Sequence, residues 1–118
     1  MKDSQHMKAD AGKRNPLILE KDFVKSLSVV QSVLEYGAEK YERSGWKNVP
    51  EGQERYDAAA RRHRQQRDLG QSHDDESGLL HIAHEITSNL MLLELYMNKN
   101  EGYIYTKYNK PPTSHKKE

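Results

Sequence analysis

Two histidines and a glutamate lie just ahead of a long apolar segment. His81, His84 and Glu85 are spaced by three and four residues, so on an α-helix of 3.6 residues per turn they share one side. Such groups are frequent metal ligands or proton-transfer groups, although they also occur as hydrogen-bonded core or surface residues. Packing alone would not select them before the apolar run 86–97. The pattern therefore predicts a polar site at the start of an otherwise core-like helix.

An acidic run precedes this helix. Asp74, Asp75, Glu76 and Ser77 supply oxygen atoms and negative charge where the positive end of a helix dipole is expected. We therefore predict a helix from about residue 75 to about residue 98. The acidic residues have two interpretations that the sequence leaves open, because they can cap the helix only or also bind a metal ion.

A second acidic cluster lies earlier in the chain. Glu35, Glu39 and Glu42 fall on one face of a predicted helix, and hard cations such as Mg²⁺ or Mn²⁺ prefer several carboxylate oxygens on a rigid surface. The alternative is a solvated helix face, with Lys40 and Arg43 nearby to form ion pairs.

Basic and aromatic residues suggest a place for an anionic ligand. Arg61, Arg62, His63 and Lys40 could receive a phosphate, although a run of charge is more often a solvated face. The only tryptophan, Trp46, falls in a predicted loop, where it either folds back on the core or offers a flat surface to a ligand.

The composition indicates one modest domain. The chain has 118 residues, 31% charged and 34% hydrophobic, with 19 basic and 18 acidic residues, so a strong field for nucleic acid or a membrane is not expected. Cysteine is absent, which excludes disulfides and thiolate chemistry. Because no signal-peptide or membrane-spanning pattern is seen, we expect a cytoplasmic protein. Residues 1–15 read as a disordered tail and 101–118 as an extended arm with a basic end.

Hydrophobic spacing predicts an all-α fold with three main helices in residues 16–100. The first begins near Phe23 with Asp22 as its cap and ends at Ser44-Gly45, and the second spans about 53–69 with Gly70 at its end. Gly37 inside the first helix could permit close approach of another backbone or a ligand. The third helix is apolar on several sides, so we expect it to be central or at an oligomer interface. Its main stripe is Leu79, Ile82, Ala83, Ile86, Leu90, Leu93 and Met97.

Several segments together resemble a known family. The sequence from about residue 23 to residue 96 is similar to the dATP/dGTP diphosphohydrolase N-terminal family of small phage proteins, and the block around residues 75–84 is the most specific. Gly45-Trp46 stands where the family usually has Asn-Trp, and Arg62 is an extra residue before His63. The matching segments are Val33-Leu34-Glu35-Tyr36-Gly37-Ala38-Glu39-Lys40-Tyr41, Gly45-Trp46, Ala58-Ala59-Ala60-Arg61-Arg62-His63, Asp75-Glu76-Ser77-Gly78-Leu79-Leu80-His81-Ile82-Ala83-His84 and Asn89-Leu90.

The resemblance implies a relation to the all-α MazG-like nucleotide pyrophosphohydrolases. Those enzymes bind Mg²⁺ through ExxE on one helix and ExxD on another, and they cut a nucleoside triphosphate into monophosphate and pyrophosphate. Glu39 and Glu42 match the first motif, whereas His81 and His84 occupy a place comparable to the second. Histidine ligands would shift the preference from Mg²⁺ toward Mn²⁺ or another transition metal.

The resemblance thus implies metal-dependent hydrolysis of dATP or dGTP by a homo-oligomeric bundle of helices. The alternative is a phage-encoded helical interaction module without catalysis that binds a host protein. We expect three sets of site residues for the enzyme. The metal ligands would be Glu35, Glu39, Asp75, Glu76 and His81; the catalytic groups Glu39, Glu76 and His84; the substrate-binding groups Lys40, Trp46, Arg61, Arg62 and His63.

Overall fold

The structure, a computed structural model, describes residues 13–100 and is all-helical in this part of the chain. The predicted fold class is confirmed, but a fourth helix joins the three that the sequence predicts. The predicted arm 101–118 and most of the predicted tail lie outside the described residues. The helices are α1 (Pro16–Asp22), α2 (Val24–Tyr41), α3 (Gly52–Asp68) and α4 (His81–Lys99), with a 3₁₀ turn at Gly45–Asn48.

The additional helix α1 forms because its first turn is well capped. The side chain of Asn15 accepts a hydrogen bond from the Leu17 backbone N–H at 3.0 Å, and Pro16 occupies the first helical position, where its missing N–H is not needed. Asp22 is the last residue of α1, and α2 begins after Phe23 without a side-chain cap. The prediction of Asp22 as the cap of α2 was therefore wrong.

Helix α2 ends earlier than the sequence suggests. Its last residue is Tyr41, and the left-handed backbone of Glu42 (φ 88°) and Ser44 (φ 66°) turns the chain before Gly45. Glu42 therefore lies outside the helix, so the predicted common face with Glu35 and Glu39 does not extend to it.

Helix α3 agrees with its predicted bounds to within a residue or two. After the last helical residue, Gly70 adopts a left-handed conformation (φ 98°) that most side chains disfavour. The Gly70 N–H donates to the Arg67 carbonyl and the Gln71 N–H to the Gln66 carbonyl, both at 3.0 Å. This is the Schellman pattern that satisfies the last carbonyls of a helix.

Helix α4 begins at His81, several residues later than predicted. Residues 73–80 form a closed loop instead, in which the His73 and Leu80 backbones make an isolated antiparallel bridge and Gly78 is left-handed at φ 74°. The helix N-cap is Leu80, which offers no side-chain oxygen. The predicted role of the acidic run as helix caps was therefore wrong.

The core lies where α4 packs against α3 and, less extensively, against α2. The buried side of α4 carries polar residues, whereas its predicted apolar stripe is largely on the surface: Ile82, Ile86, Leu90 and Leu93 are 40–57% exposed. Within residues 13–100, no helix combines the length and apolar content needed to cross a membrane. The buried residues of α4 are His81, Ala83, His84 and Thr87, and the buried apolar residues of the other helices are Val30, Val33 and Ala60.

Candidate functional site

Three histidines meet where α3 packs against the first turn of α4. The rings of His63 and His84 stack almost in parallel, with centroids 4.4 Å apart and 7° between their planes. The Nδ1 atoms of His63 and His81 are 2.8 Å apart, which is hydrogen-bonding distance. Buried residues on a helix are usually apolar, so three imidazoles in the interface between two helices indicate a built polar site.

The hydrogen bonds of Gln71 determine which nitrogen of His81 carries the proton. The Gln71 Nε2 group donates to Asp75 Oδ1 at 3.0 Å, so the Gln71 Oε1 atom faces His81 Nε2 at 2.9 Å and must accept from it. His81 Nδ1 therefore carries the lone pair of that ring, and it accepts the proton that His63 Nδ1 donates. The bond to Gln71 thus sets the direction of the hydrogen bond between the two rings.

The loop 73–80 places a carboxylate and a hydroxyl beside the imidazoles. The Ser77 backbone N–H donates to Asp74 Oδ2 at 2.8 Å, and the Gly78 N–H donates to the Asp74 carbonyl at the same distance. The Ser77 hydroxyl lies 2.7 Å from His84 Nε2 and also accepts a bond from the Leu79 N–H at 3.1 Å. The single hydroxyl proton is therefore available either to His84 or to the neighbouring Asp74 carboxylate.

Burial determines the charge state of these groups. Removal from water lowers the pKa of both His63 and His84, and the neighbouring histidines lower it further. Burial acts against the charged form of Asp74, but hydrogen bonds from the backbone and side chain of Ser77 outweigh it and lower the pKa of this carboxyl. The site therefore holds neutral imidazoles next to an ionised carboxylate near pH 7, and the 3.9 Å contact from His84 Nε2 to Asp74 Oδ2 is not an ion pair.

Helix α2 brings a phenol and an ammonium group to the same site. The Tyr36 ring meets the His84 ring edge-on, with centroids 6.1 Å apart, and Lys40 Nζ lies 3.3 Å from Glu76 Oε2 in the loop. The nearby Tyr36 hydroxyl and Lys40 ammonium lower the pKa of the Glu76 carboxyl. The Tyr36 hydroxyl is buried, yet it makes no hydrogen bond of ordinary geometry with any residue in 13–100. Among the described residues, the hydroxyl therefore has only the Glu76 carboxylate as a neighbouring acceptor, and a ligand oxygen could replace that carboxylate.

One group of side chains could hold a metal ion. His63, Asp74 and His81 each offer a ligand atom, and these atoms all lie within 4.8 Å of one another. His63 comes from α3, Asp74 from the loop and His81 from α4, so the group depends on the packing of three segments.

The five metal ligands expected from the sequence are not gathered into one such group within residues 13–100. Glu35 accepts a hydrogen bond from Gln31 on its own helix, and Glu39 makes no hydrogen bond or ion pair with another described residue. Asp75 and His81 are joined only through Gln71, and Glu76 is engaged by Lys40.

The expected substrate-binding residues occupy several places. Lys40 and His63 belong to the site described above. Arg61 pairs with Asp57 on its own helix at 2.9 Å and lines a surface cavity between α3 and α4, whereas the charge of Arg62 contributes to lowering the pKa of His63.

Trp46 lies in the 3₁₀ turn and packs against α3. Its ring meets the ring of Tyr56 edge-on with centroids 6.3 Å apart, and its carbonyl accepts a 2.6 Å hydrogen bond from the Tyr56 hydroxyl. Tyr56 precedes His63 by seven residues, which is about 10 Å along an α-helix. Trp46 therefore contacts α3 about two helical turns away from the point where His63 meets the other imidazoles.

Glu85, which the sequence pattern groups with the two histidines, serves the packing of α3 on α4. Its side chain is 16% exposed and accepts a 2.9 Å hydrogen bond from Arg67, with Arg64 3.9 Å away. Its carboxylate is therefore neutralised by arginines of α3.

Sequence reasoning did not identify several residues as parts of the site. Asp74 and Ser77 were interpreted as helix caps, although an Asp side chain can also accept from a backbone N–H a few residues on within a turn. Tyr36 was given no role in the site from the sequence, and only its i, i+4 relation to Lys40 could have drawn attention to it. No local signal points to Gln71.

In the described residues, the protein is all-helical, and its candidate site combines neutral imidazoles, an ionised carboxylate and a lysine. A family model described as "dATP/dGTP diphosphohydrolase, N-terminal" matches residues 3–103, which is most of the chain. The protein therefore belongs to this family. Neither the search of curated proteins nor the search of solved structures found a match.

Proposed function

We propose that this protein hydrolyses a purine deoxynucleoside triphosphate, dATP or dGTP, to the monophosphate and pyrophosphate in a metal-dependent reaction. The family description supports the substrate class. The observation that carries the proposal is the cluster of His63, His84 and Asp74, which the Tyr36 ring connects to Lys40. It combines proton acceptors with a cation that can bind phosphate.

Lys40 and Tyr36 are the groups that bind the phosphate chain. The hydrogen bond to Glu76 raises the pKa of Lys40, so the ammonium group stays charged at neutral pH. A triphosphate oxygen would take the place of Glu76 on Lys40 and would satisfy the buried hydroxyl of Tyr36. Arg62 adds positive charge to this side of α3, and Arg61 would need to leave Asp57 to take part.

Trp46 is suited to stack on the purine base. Its ring lies beside Tyr56, about two helical turns from His63 along α3. A nucleotide with its base at Trp46 would extend along α3 toward the imidazoles, with the phosphates nearest Lys40.

His84 is the group that accepts a proton from the attacking water. Burial lowers its pKa, so the ring is neutral and able to take up a proton at pH 7. Its Nε2 atom lies 2.7 Å from the Ser77 hydroxyl, so the hydroxyl would have to turn away from the ring before Nε2 could accept a proton from water. A bound Mg²⁺ or Mn²⁺ would neutralise phosphate charge and lower the pKa of the attacking water. Two exposed carboxylates near Lys40 could hold it: Glu39 is the adjacent residue in the chain, and Glu76 is in contact with the Lys40 ammonium.

The experiment is an assay of the full chain with each deoxynucleoside triphosphate and Mg²⁺ or Mn²⁺. We expect equimolar pyrophosphate and dAMP or dGMP. Lys40→Gln should lower kcat/KM by about 10- to 100-fold, as expected for a lost hydrogen bond to a charged group. The matched control is Lys25→Gln, an exposed lysine at the other end of the same helix. Absence of pyrophosphate with every nucleotide would overturn the proposal, as would equal losses in both variants.

One observation favours a second function, that of a helical module that binds another protein without catalysis. The stripe Ile82, Ile86, Leu90 and Leu93 on α4 is exposed and could contact a partner. This alternative predicts that nucleotides leave both the fluorescence of Trp46 and the thermal stability unchanged. Quenching of Trp46 by dATP or dGTP would contradict it.

A further inference from the structure

We propose that His63, Asp74 and His81 form a binding site for a divalent transition-metal ion, with two imidazole nitrogens and one carboxylate oxygen as ligands. The three ligand atoms lie within 4.8 Å of one another and come from α3, the loop 73–80 and α4. This ligand set differs from an all-carboxylate site for Mg²⁺. The proposed site is formed by protein side chains alone and does not need a bound nucleotide.

The chemistry of the donors selects the class of metal. Mg²⁺ prefers oxygen ligands and near-ideal octahedral geometry, whereas imidazole nitrogens favour Zn²⁺, Co²⁺, Fe²⁺ and related ions. Two histidines and one carboxylate are a common protein ligand set for such ions, and they leave positions open for water or a phosphate oxygen. We therefore expect this site to retain its ion in the presence of excess Mg²⁺.

The two imidazole nitrogens need only a small adjustment to accept an ion, whereas the Asp74 carboxylate would have to close part of a separation of up to 4.8 Å. Metal–nitrogen bonds of about 2.0–2.1 Å in a tetrahedral site place two ligand nitrogens about 3.3 Å apart. The Nδ1 atoms of His63 and His81 are 2.8 Å apart around a shared proton. Binding would move that proton from Nδ1 to Nε2 of His63. This is a change of tautomer, so no proton is gained or lost when the ion enters.

The surroundings of the three ligands already hold them in orientation. His81 donates its Nε2–H to Gln71, as metal-binding histidines commonly do to a carbonyl or carboxylate. Asp74 is held by the Ser77 N–H, and the ring of His84 stacks on His63. The imidazole ligands therefore need little reorganisation when the ion enters.

The test uses tag-free full-length protein, treated with a chelator and then titrated with Co²⁺ without nucleotide. We expect equimolar binding that survives a large excess of Mg²⁺, with the intense visible absorption of four- or five-coordinate Co²⁺. His63→Gln and Asp74→Asn should abolish this absorption, and Gln71→Leu should weaken binding by about 10- to 100-fold. The matched controls are His73→Gln, an exposed histidine of the same loop, and Glu39→Gln on α2, which should both bind as the unmodified chain does.

Circular dichroism shows whether each variant is folded. If the ligand variants unfold, paramagnetic broadening in NMR spectra of the unmodified protein decides, because Co²⁺ at this site must broaden the His63, Asp74 and His81 signals first. No equimolar binding, or broadening centred on Glu35 and Glu39, would overturn the proposed site. If the protein hydrolyses dATP with Mg²⁺ but does not bind Co²⁺, the proposed metal site is wrong and the proposed function stands. If it binds Co²⁺ but hydrolyses no nucleotide, the proposed function is wrong and the metal site stands.

Discussion

Burial keeps two imidazoles of this protein uncharged. His63 and His84 stack between α3 and α4, where desolvation lowers the pKa of each ring, while the adjacent Asp74 stays ionised through its bonds to Ser77. Proton acceptors with lowered pKa values beside a fixed carboxylate are typical of functional sites. The same arrangement makes the stability of the metal-free protein depend on pH.

We predict that the chelator-treated protein loses stability as the pH falls below about 6.5, the ordinary pKa of histidine in an unfolded chain. Because the folded-state pKa values of His63 and His84 lie lower, the unfolded chain binds more protons in this range and is favoured. The urea midpoint should therefore be lower at about pH 5.5 than at about pH 7.5.

The His63→Gln variant should show a smaller change between the two pH values, since it lacks one of the two imidazoles whose pKa is lowered in the folded chain. A midpoint that is constant from pH 7.5 to about 5.5 would contradict the lowered pKa values. So would an equal pH dependence in the variant and the unmodified chain.

Gly78 of the loop 73–80 and Gly37 of helix α2 differ in whether their backbone conformation needs a glycine. Gly78 turns the loop with φ 74°, a conformation that places Asp74 and Ser77 beside the imidazoles. Gly37 lies inside α2, and a Cβ atom added there would meet no atom within 4 Å, so the predicted close approach to this glycine does not occur within residues 13–100. Replacement by alanine should therefore have opposite effects at the two positions.

We predict that Gly78→Ala destabilises the protein by about 1–2 kcal/mol, because left-handed backbone is costly for a residue with a Cβ atom. Gly37→Ala should stabilise it by about 0.5–1 kcal/mol, since alanine loses less conformational entropy in a helix. Thermal unfolding measures both, at roughly 4–8 °C per kcal/mol for a domain of this size.

The two variants act as controls for each other. If Gly37→Ala is destabilising, another chain or segment approaches α2 at this point. If Gly78→Ala has no effect, the loop does not depend on its left-handed turn, and the placement of Asp74 would need another explanation.

The molecule as a whole buries few apolar side chains. Among residues 13–100, the buried hydrophobic residues are Val30, Val33, Ala60 and Ala83, whereas Ile86 and Leu90 of α4 are 46% and 48% exposed. A core of this size gives limited stability to a small domain. An exposed apolar stripe along a central helix is also typical of a surface that a partner covers.

We predict that the protein self-associates through the exposed stripe of α4, which comprises Ile82, Ile86, Leu90 and Leu93. This agrees with the homo-oligomer expected from the sequence. An Ile86→Gln/Leu90→Gln double variant should have a smaller molar mass in size-exclusion chromatography with light scattering. Leu69→Gln is the control, because Leu69 is 79% exposed at the end of α3 and lies outside the stripe. A monomeric unmodified chain, or a double variant of unchanged mass, would contradict the prediction.

The amino-acid sequence by itself determined the helical class and the bounds of α3, because helical periodicity and helix-ending glycines act over a few neighbouring residues. It also predicted a polar site at His81 and His84. The family was also evident from local motifs, and the family match agrees with it. These features depend on residues that are close in the chain.

Only the tertiary structure decided which side of α4 is buried and which groups meet there. Periodicity favoured the apolar stripe, but His81 and His84 are buried because His63 of α3, Gln71 just after α3 and Ser77 of the loop satisfy their nitrogens. These partners are up to 18 residues away in sequence. Their positions follow from how α3, the loop and α4 pack, and no local pattern encodes that packing.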